Sequence, residues 1–156
     1  MTRKNAREIS VVLSFAAASA GCTADELLGS FFSAEHYPTL AAENELFTDA
    51  PDETQLEYIR RLCSLVSEHA EELDGYIERY SKGWKAERIS RTARAVLRTA
   101  ICEILYLDDV PAAVAINEAV ELDKSYDDAE TVAFVNGVLG GFMRGEMDVK
   151  TGPDAE

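Results

Sequence analysis

The sequence predicts an all-α protein of about seven helices, arranged as two packed three-helix bundles. Three observations carry this. Apolar residues recur at spacings of three and four through most of the chain, and no stretch alternates with a period of two. Four prolines and nine glycines in 156 residues are too few breakers for a sandwich of short strands. Hydrophobic residues make up 47% of the chain, enough for a proper core, which excludes wholesale disorder.

The first helix is expected over residues 5–20, with Ala6, Ile9, Leu13, Ala16, Ala17 and Ala20 as its buried stripe and Gly21 as its C-terminal cap. Lys4, Arg7, Val11 and Phe15 share an arc on its other side, which is either a second buried surface or a partner site. Thr23 to Glu26 reads as a capping box and opens a second helix to Phe32. Residues 35–53 carry Pro38 and Pro51 and are read as a hinge between two halves, with room for a short helical turn. A third helix starts near Asp52 on the stripe Leu56, Ile59, Leu62, Cys63 and Val66. Leu73, Tyr76, Ile77 and Tyr80 mark a short fourth.

Trp84 and Ile89 are expected to anchor the connector that follows. The fifth helix spans 91–107, with Ala93, Leu97, Ala100, Ile101 and Ile104 inward and Arg91, Arg94 and Arg98 aligned beside them. Pro111 suits the first turn of a sixth helix running to Ser125. Asp127 with Glu130 is expected to cap the seventh, on the stripe Val135, Val138, Leu139 and Phe142. Phe134 lies off that stripe, and Gly137 and Gly141 permit close packing. Residues 1–145 then form one domain, and 146–156 a frayed tail.

The net charge is −14, from 15 basic and 29 acidic residues. Read alone, this argues against nucleic acid. The distribution reverses that. Arg3, Lys4 and Arg7 open the chain with no acid among them, and residues 79–98 hold seven cations against Glu87 alone. Two short basic segments thus sit in an acidic molecule, as a phosphate site or as a solvated face.

Cys22, Cys63 and Cys102 are widely spaced without a CxxC, which suits reduced thiols and a cytoplasmic protein. His36 and His69 lack neighbours at ligand spacing, so no metal is expected. No P-loop, GxGxxG, GxSxG or HExxH occurs, and no cofactor or catalysis is expected. Val11–Ala20 followed by Ser19-Ala20-Gly21-Cys22 imitates a lipoprotein signal, but Glu8, Ser14, Ser19 and the helical stripe disfavour it. Nothing else reaches membrane-spanning length.

The C-terminal half carries longer motifs. Val110-Pro111 followed by Val114-Ala115-Ile116-Asn117-Glu118-Ala119-Val120-Glu121-Leu122-Asp123-Lys124, and then Phe134-Val135-Asn136-Gly137-Val138-Leu139, resemble the VP..VAINEAVELAK and FVNGVL signatures of the NusB transcription antitermination family. Ala95-Val96-Leu97-Arg98 looks like its AVLR segment, and Ala6-Arg7-Glu8 like its basic opening. The resemblance spans roughly residues 3–142.

The resemblance implies two three-helix bundles plus an extra helix. It implies binding to boxA-type single-stranded RNA of nascent ribosomal RNA transcripts, jointly with the small-subunit ribosomal protein NusE. Other Nus factors and RNA polymerase would be met indirectly. It implies that Arg3, Lys4 and Arg7 contact phosphates, that Phe15 lies near the RNA and the protein partner, and that Phe134 stacks on a base or shapes the surface; for Asn136 a structural hydrogen-bonding role is expected. Val11, Arg91, Arg94 and Arg98 are further candidates for RNA or protein contact, and Val11 with Phe15 offers a surface for a homodimer. Two departures thin the basic surface: Asn5 stands where a third basic residue is common, and Ala133 where many members have Lys. RNA binding by this protein alone is therefore expected to be weak. The alternative is a helical protein-interaction module of the same fold with little RNA affinity.

Overall fold

The computed structural model describes residues 1–33, 37–40, 45–47, 49–84 and 88–148. Their regular structure is all helical, with no strand among them. The readings made above of His36, of residues 85–87 in the basic segment, Glu87 among them, and of the last eight residues lie outside the described residues. The chain divides into two compact units, Met1–Glu68 and His69–Glu156. Residues 35–53, read above as a hinge, fall within the first of them.

The first unit holds α1 (Arg3–Ala20), α2 (Ala24–Phe31), a single turn α3 (Tyr37–Leu40) and α4 (Glu53–Glu68). Helix α1 packs on α2 and α4. Ala6, Ile9, Leu13 and Ala17 are buried, as are Ile59, Leu62, Cys63 and Val66 of α4. The expected stripe on α1 is shorter than read, because Ala20 is exposed.

The caps fall where the sequence placed them. Gly21 ends α1 at φ 70°, a left-handed conformation that glycine adopts without steric cost. The hydroxyl of Thr23 accepts from the Glu26 N–H at 3.3 Å, and the Asp52 carboxylate from the Gln55 N–H at 2.9 Å. The segment after α2 is tied down by aromatic packing: Phe31 meets Phe32, Tyr37 and Phe47 edge-on at 5.0–6.0 Å. The Tyr37 hydroxyl donates to the Asp49 carbonyl at 2.9 Å.

The second unit holds α5 (Ala70–Tyr80), α6 (Arg91–Tyr106), α7 (Ala112–Asp123) and α8 (Ala129–Phe142). Helices α6, α7 and α8 pack on one another, and α5 joins them against α6 and α8. Helix α6 is buried on nearly every side: Ala93, Ala95, Val96, Leu97, Thr99, Ala100, Ile101, Cys102 and Glu103 are all covered. Ile104, expected inside, is only half-buried. Pro111 precedes α7 with ψ 140°, so it caps the helix instead of occupying its first turn. Past α8 the chain continues as a π-helical turn, Met143–Asp148, where a frayed tail was expected to begin.

The cap of α8 differs from the expectation by one residue. Asp128, not Asp127, accepts from the Thr131 N–H at 2.8 Å. Asp127 is occupied elsewhere: it accepts from the Ser90 hydroxyl at 3.2 Å, and that hydroxyl in turn caps α6 by accepting from the Ala93 N–H at 3.0 Å.

Asp123, at the end of α7, is fully buried, and neither carboxylate oxygen has a hydrogen-bond partner among the described residues. Burial, and after it the neighbouring Asp127 and Asp128, push its pKa from 3.8 up to about 8. A carboxyl whose folded pKa is raised contributes best when protonated. Stability therefore falls as pH rises from the ordinary carboxylate range through 8. Asp123→Asn keeps the shape and removes the charge. It is expected to stabilise the protein by about 1–3 kcal/mol at pH 9 and by much less at pH 5. Thermal unfolding at the two pH values checks this; an equal gain at both refutes the assignment.

Candidate nucleic-acid interface

Helix α1 begins with its cations. Thr2 caps it by accepting from the Asn5 N–H at 3.1 Å, and no acid follows in the first turn. Lys4 is exposed. Arg3 is held on α4: its Nε donates to Gln55 Oε1 at 2.9 Å, and its guanidinium lies 4.0 Å over the Tyr58 ring. Arg7 reaches the same ring at 5.9 Å and is only 5% exposed. Tyr58 therefore carries two cations. It was missed in the sequence although it stands four and eight residues before Leu62 and Val66, on their stripe.

Val11 is also buried, and Phe15 half-buried. The arc Lys4, Arg7, Val11, Phe15 is thus a covered surface at its middle, open at its two ends. The face is packed at Arg7 and Val11 and accessible at Lys4 and, in part, Phe15.

In the second unit the aligned arginines behave differently. Arg98 grips Asp74 with two hydrogen bonds, Nε at 2.8 Å and a terminal nitrogen at 2.5 Å, and Arg94 adds a third at 3.1 Å. Burial raises the Asp74 carboxyl, but the bonds and charge of Arg98, and then of Arg94, outweigh it and hold the group below the usual carboxylate range. These two arginines serve the α5–α6 contact. Arg91 is exposed and has no ion pair among the described residues.

Phe134 is only 8% exposed, because Trp84 lies against it with ring centroids 4.5 Å apart. A base cannot stack on Phe134 without displacing Trp84, which is itself half-buried. Asn136 is exposed, with no side-chain hydrogen bond among the described residues, so the structural role implied for it is not what the geometry supports. None of the three cysteines is in a disulfide. Cys63 is pushed up to about 12 by burial and donates to the Ser10 carbonyl at 3.6 Å. No group of three metal-ligating side chains occurs among the described residues. Among the described residues no single helix is long and apolar enough to cross a membrane.

Fold and site together define a two-unit helical protein with a cationic first turn and a second unit closed around α6. The NusB family model matches residues 4–144, and the chain belongs to that family. It is 38% identical over 145 residues to the transcription antitermination protein NusB of Symbiobacterium thermophilum, covering 93% of this chain and 91% of that protein. Its fold is similar to that of T. maritima NusB, at TM-score 0.75 and 25% identity over 93% of this chain and 92% of that one. It is also similar to a crystal structure of the antitermination factors NusB and NusE in complex with dsRNA. There the TM-score is 0.70 at 24% identity, over 91% of this chain and 96% of that one, and the likeness speaks to fold alone.

Asp74→Ala strands two part-buried guanidinium groups. It is expected to lower stability by about 1–3 kcal/mol at pH 7. A carboxyl with a lowered folded pKa contributes above its unfolded value, and that contribution is lost as pH falls through the folded one. The difference between wild type and variant should therefore vanish in acid. Urea unfolding at pH 7 and in acid checks this, and a variant as stable as wild type at pH 7 would show that the arginines are not held by Asp74.

Proposed function

We propose that this protein binds boxA-type single-stranded RNA of nascent ribosomal RNA transcripts together with NusE and acts in transcription antitermination. Membership of the NusB family over residues 4–144 is the observation that carries this reading. In this reading residues 1–145 work as one RNA-binding domain, without catalysis, in the cytoplasm where transcripts emerge. Other Nus factors and RNA polymerase are met through the assembly.

Lys4 supplies the phosphate contact of α1 and Phe15 its accessible aromatic, while Arg3 stays on Tyr58. Arg7 and Val11, being buried, hold that helix in place, which leaves Phe15 as the apolar residue of this arc that a second copy of the chain would meet. Phe134 acts by backing Trp84, and Arg91 is the arginine of α6 left to meet RNA or protein.

A protein-interaction module with little RNA affinity is the second reading. It is favoured by one observation: Arg3, Arg7, Arg94 and Arg98 are all engaged within the chain.

Fluorescence anisotropy of boxA RNA and a scrambled control, with and without NusE across a salt series, separates the two. Selective binding that strengthens with NusE is expected. Lys4→Ala should flatten the salt slope by about 0.7, the share of one phosphate contact on a single strand. Equal, feeble binding of both RNAs even with NusE would leave the protein-only module.

A further inference from the structure

A cavity of about 460 Å³ opens in the second unit, within the range of pockets that take small ligands. Tyr80, Trp84 and Phe134 give it aromatic walls, and Lys82 and Arg144 line it as well. Glycines shape it. A Cβ at Gly145 would come 2.0 Å from the Tyr80 hydroxyl, and one at Gly141 would come 3.2 Å from the ring, so Tyr80 lies where only glycine admits it. At Gly137 a Cβ would meet nothing within 4 Å, and the space stays open. The expected close packing at the glycine pair therefore holds at Gly141 and not at Gly137.

Among the described residues, the charge left unpaired around the cavity is positive. Glu146 is taken up by Arg79 at 2.7 Å and by the Tyr80 hydroxyl at 2.5 Å. Lys82 and Arg144 are exposed, and neither has an ion pair among the described residues. Two cations without an ion pair among the described residues, beside a tryptophan and an open glycine, suit a ligand that is flat, aromatic and anionic.

We propose that this pocket receives one unstacked nucleotide of single-stranded RNA, its base against Trp84 and its phosphate on Lys82 and Arg144. The proposal rests on the RNA-binding reading above and adds to it a subsite in the second unit. A protein side chain fits less well, because an acidic residue lacks the flat face and an aromatic one lacks the charge.

Trp84 is the only tryptophan in the chain, so its fluorescence reports this pocket alone. The test titrates the full chain with boxA RNA, following Trp84 emission and RNA anisotropy together, and separately with adenosine and uridine monophosphate. Quenching of Trp84 in step with anisotropy is expected. Trp84→Leu should weaken RNA binding about tenfold by anisotropy, and Arg144→Ala should flatten the salt slope by about 0.7. RNA that binds with unchanged Trp84 emission, and equally tightly to Trp84→Leu, overturns the pocket and leaves the RNA reading intact. If boxA RNA does not bind at all, saturable quenching by a mononucleotide that Arg144→Ala abolishes still upholds a nucleotide site; its absence overturns that too. Quenching by NusE alone, with none from any RNA or nucleotide, assigns the pocket to protein and refutes the proposal.

Discussion

Helix α6 must bury an apolar surface on nearly every side while carrying arginines at its edge, and Asp74 reconciles the two demands. Arg94 and Arg98 stand one turn apart, each less than a third exposed, and one carboxylate from α5 answers both. Left unpaired at that depth, the two charges would together cost about 1–3 kcal/mol. With Asp74 in place α5 is fixed to α6, and α7 and α8 close on the remaining faces. The position of Tyr80 at the end of α5, and so the shape of the neighbouring cavity, depends on that attachment.

The same economy governs the whole charge pattern. The chain carries a net −14, and a basic segment in such a chain is easily read as a binding surface. The arginines divide by what surrounds them. Those set on a ring or a carboxylate, at Tyr58 and Asp74, hold helices together. Those with no such neighbour among the described residues, with Lys4 and Lys82, are the cations available to phosphate. Counting cations overstates the basic surface here, because burial and pairing decide which of them a ligand can reach.

Helix periods and caps were legible because they are local. Gly21, Thr23 and Asp52 each act on residues within four positions, and a stripe such as Val135, Val138, Leu139, Phe142 declares its own buried face. The Asp127 assignment failed for a nonlocal reason: Ser90, 37 residues away, claims its carboxylate, and Asp128 inherits the cap. Asp74 with Arg94 and Arg98, and Tyr58 under Arg3, escaped for the same cause, since each partner lies on another helix. The family motifs located Phe134 and implied that it meets RNA. They said nothing of Trp84, which sits in an irregular connector without a period to read.

Trp84 also shows how a packed residue and an exposed one share a role. Phe134 begins the FVNGVL motif, yet its ring is turned inward and covered. Burying it against Trp84 holds the indole in one orientation, since two rings in contact at 4.5 Å restrict each other's rotation. A stacking surface fixed before the ligand arrives loses little conformational freedom on binding. The tryptophan then supplies the face and the phenylalanine its stiffness. The glycines of α8 and of the turn after it matter through the space they leave: Gly141 and Gly145 admit Tyr80, and Gly137 stays bare and keeps clear of the volume that an aromatic ligand would fill.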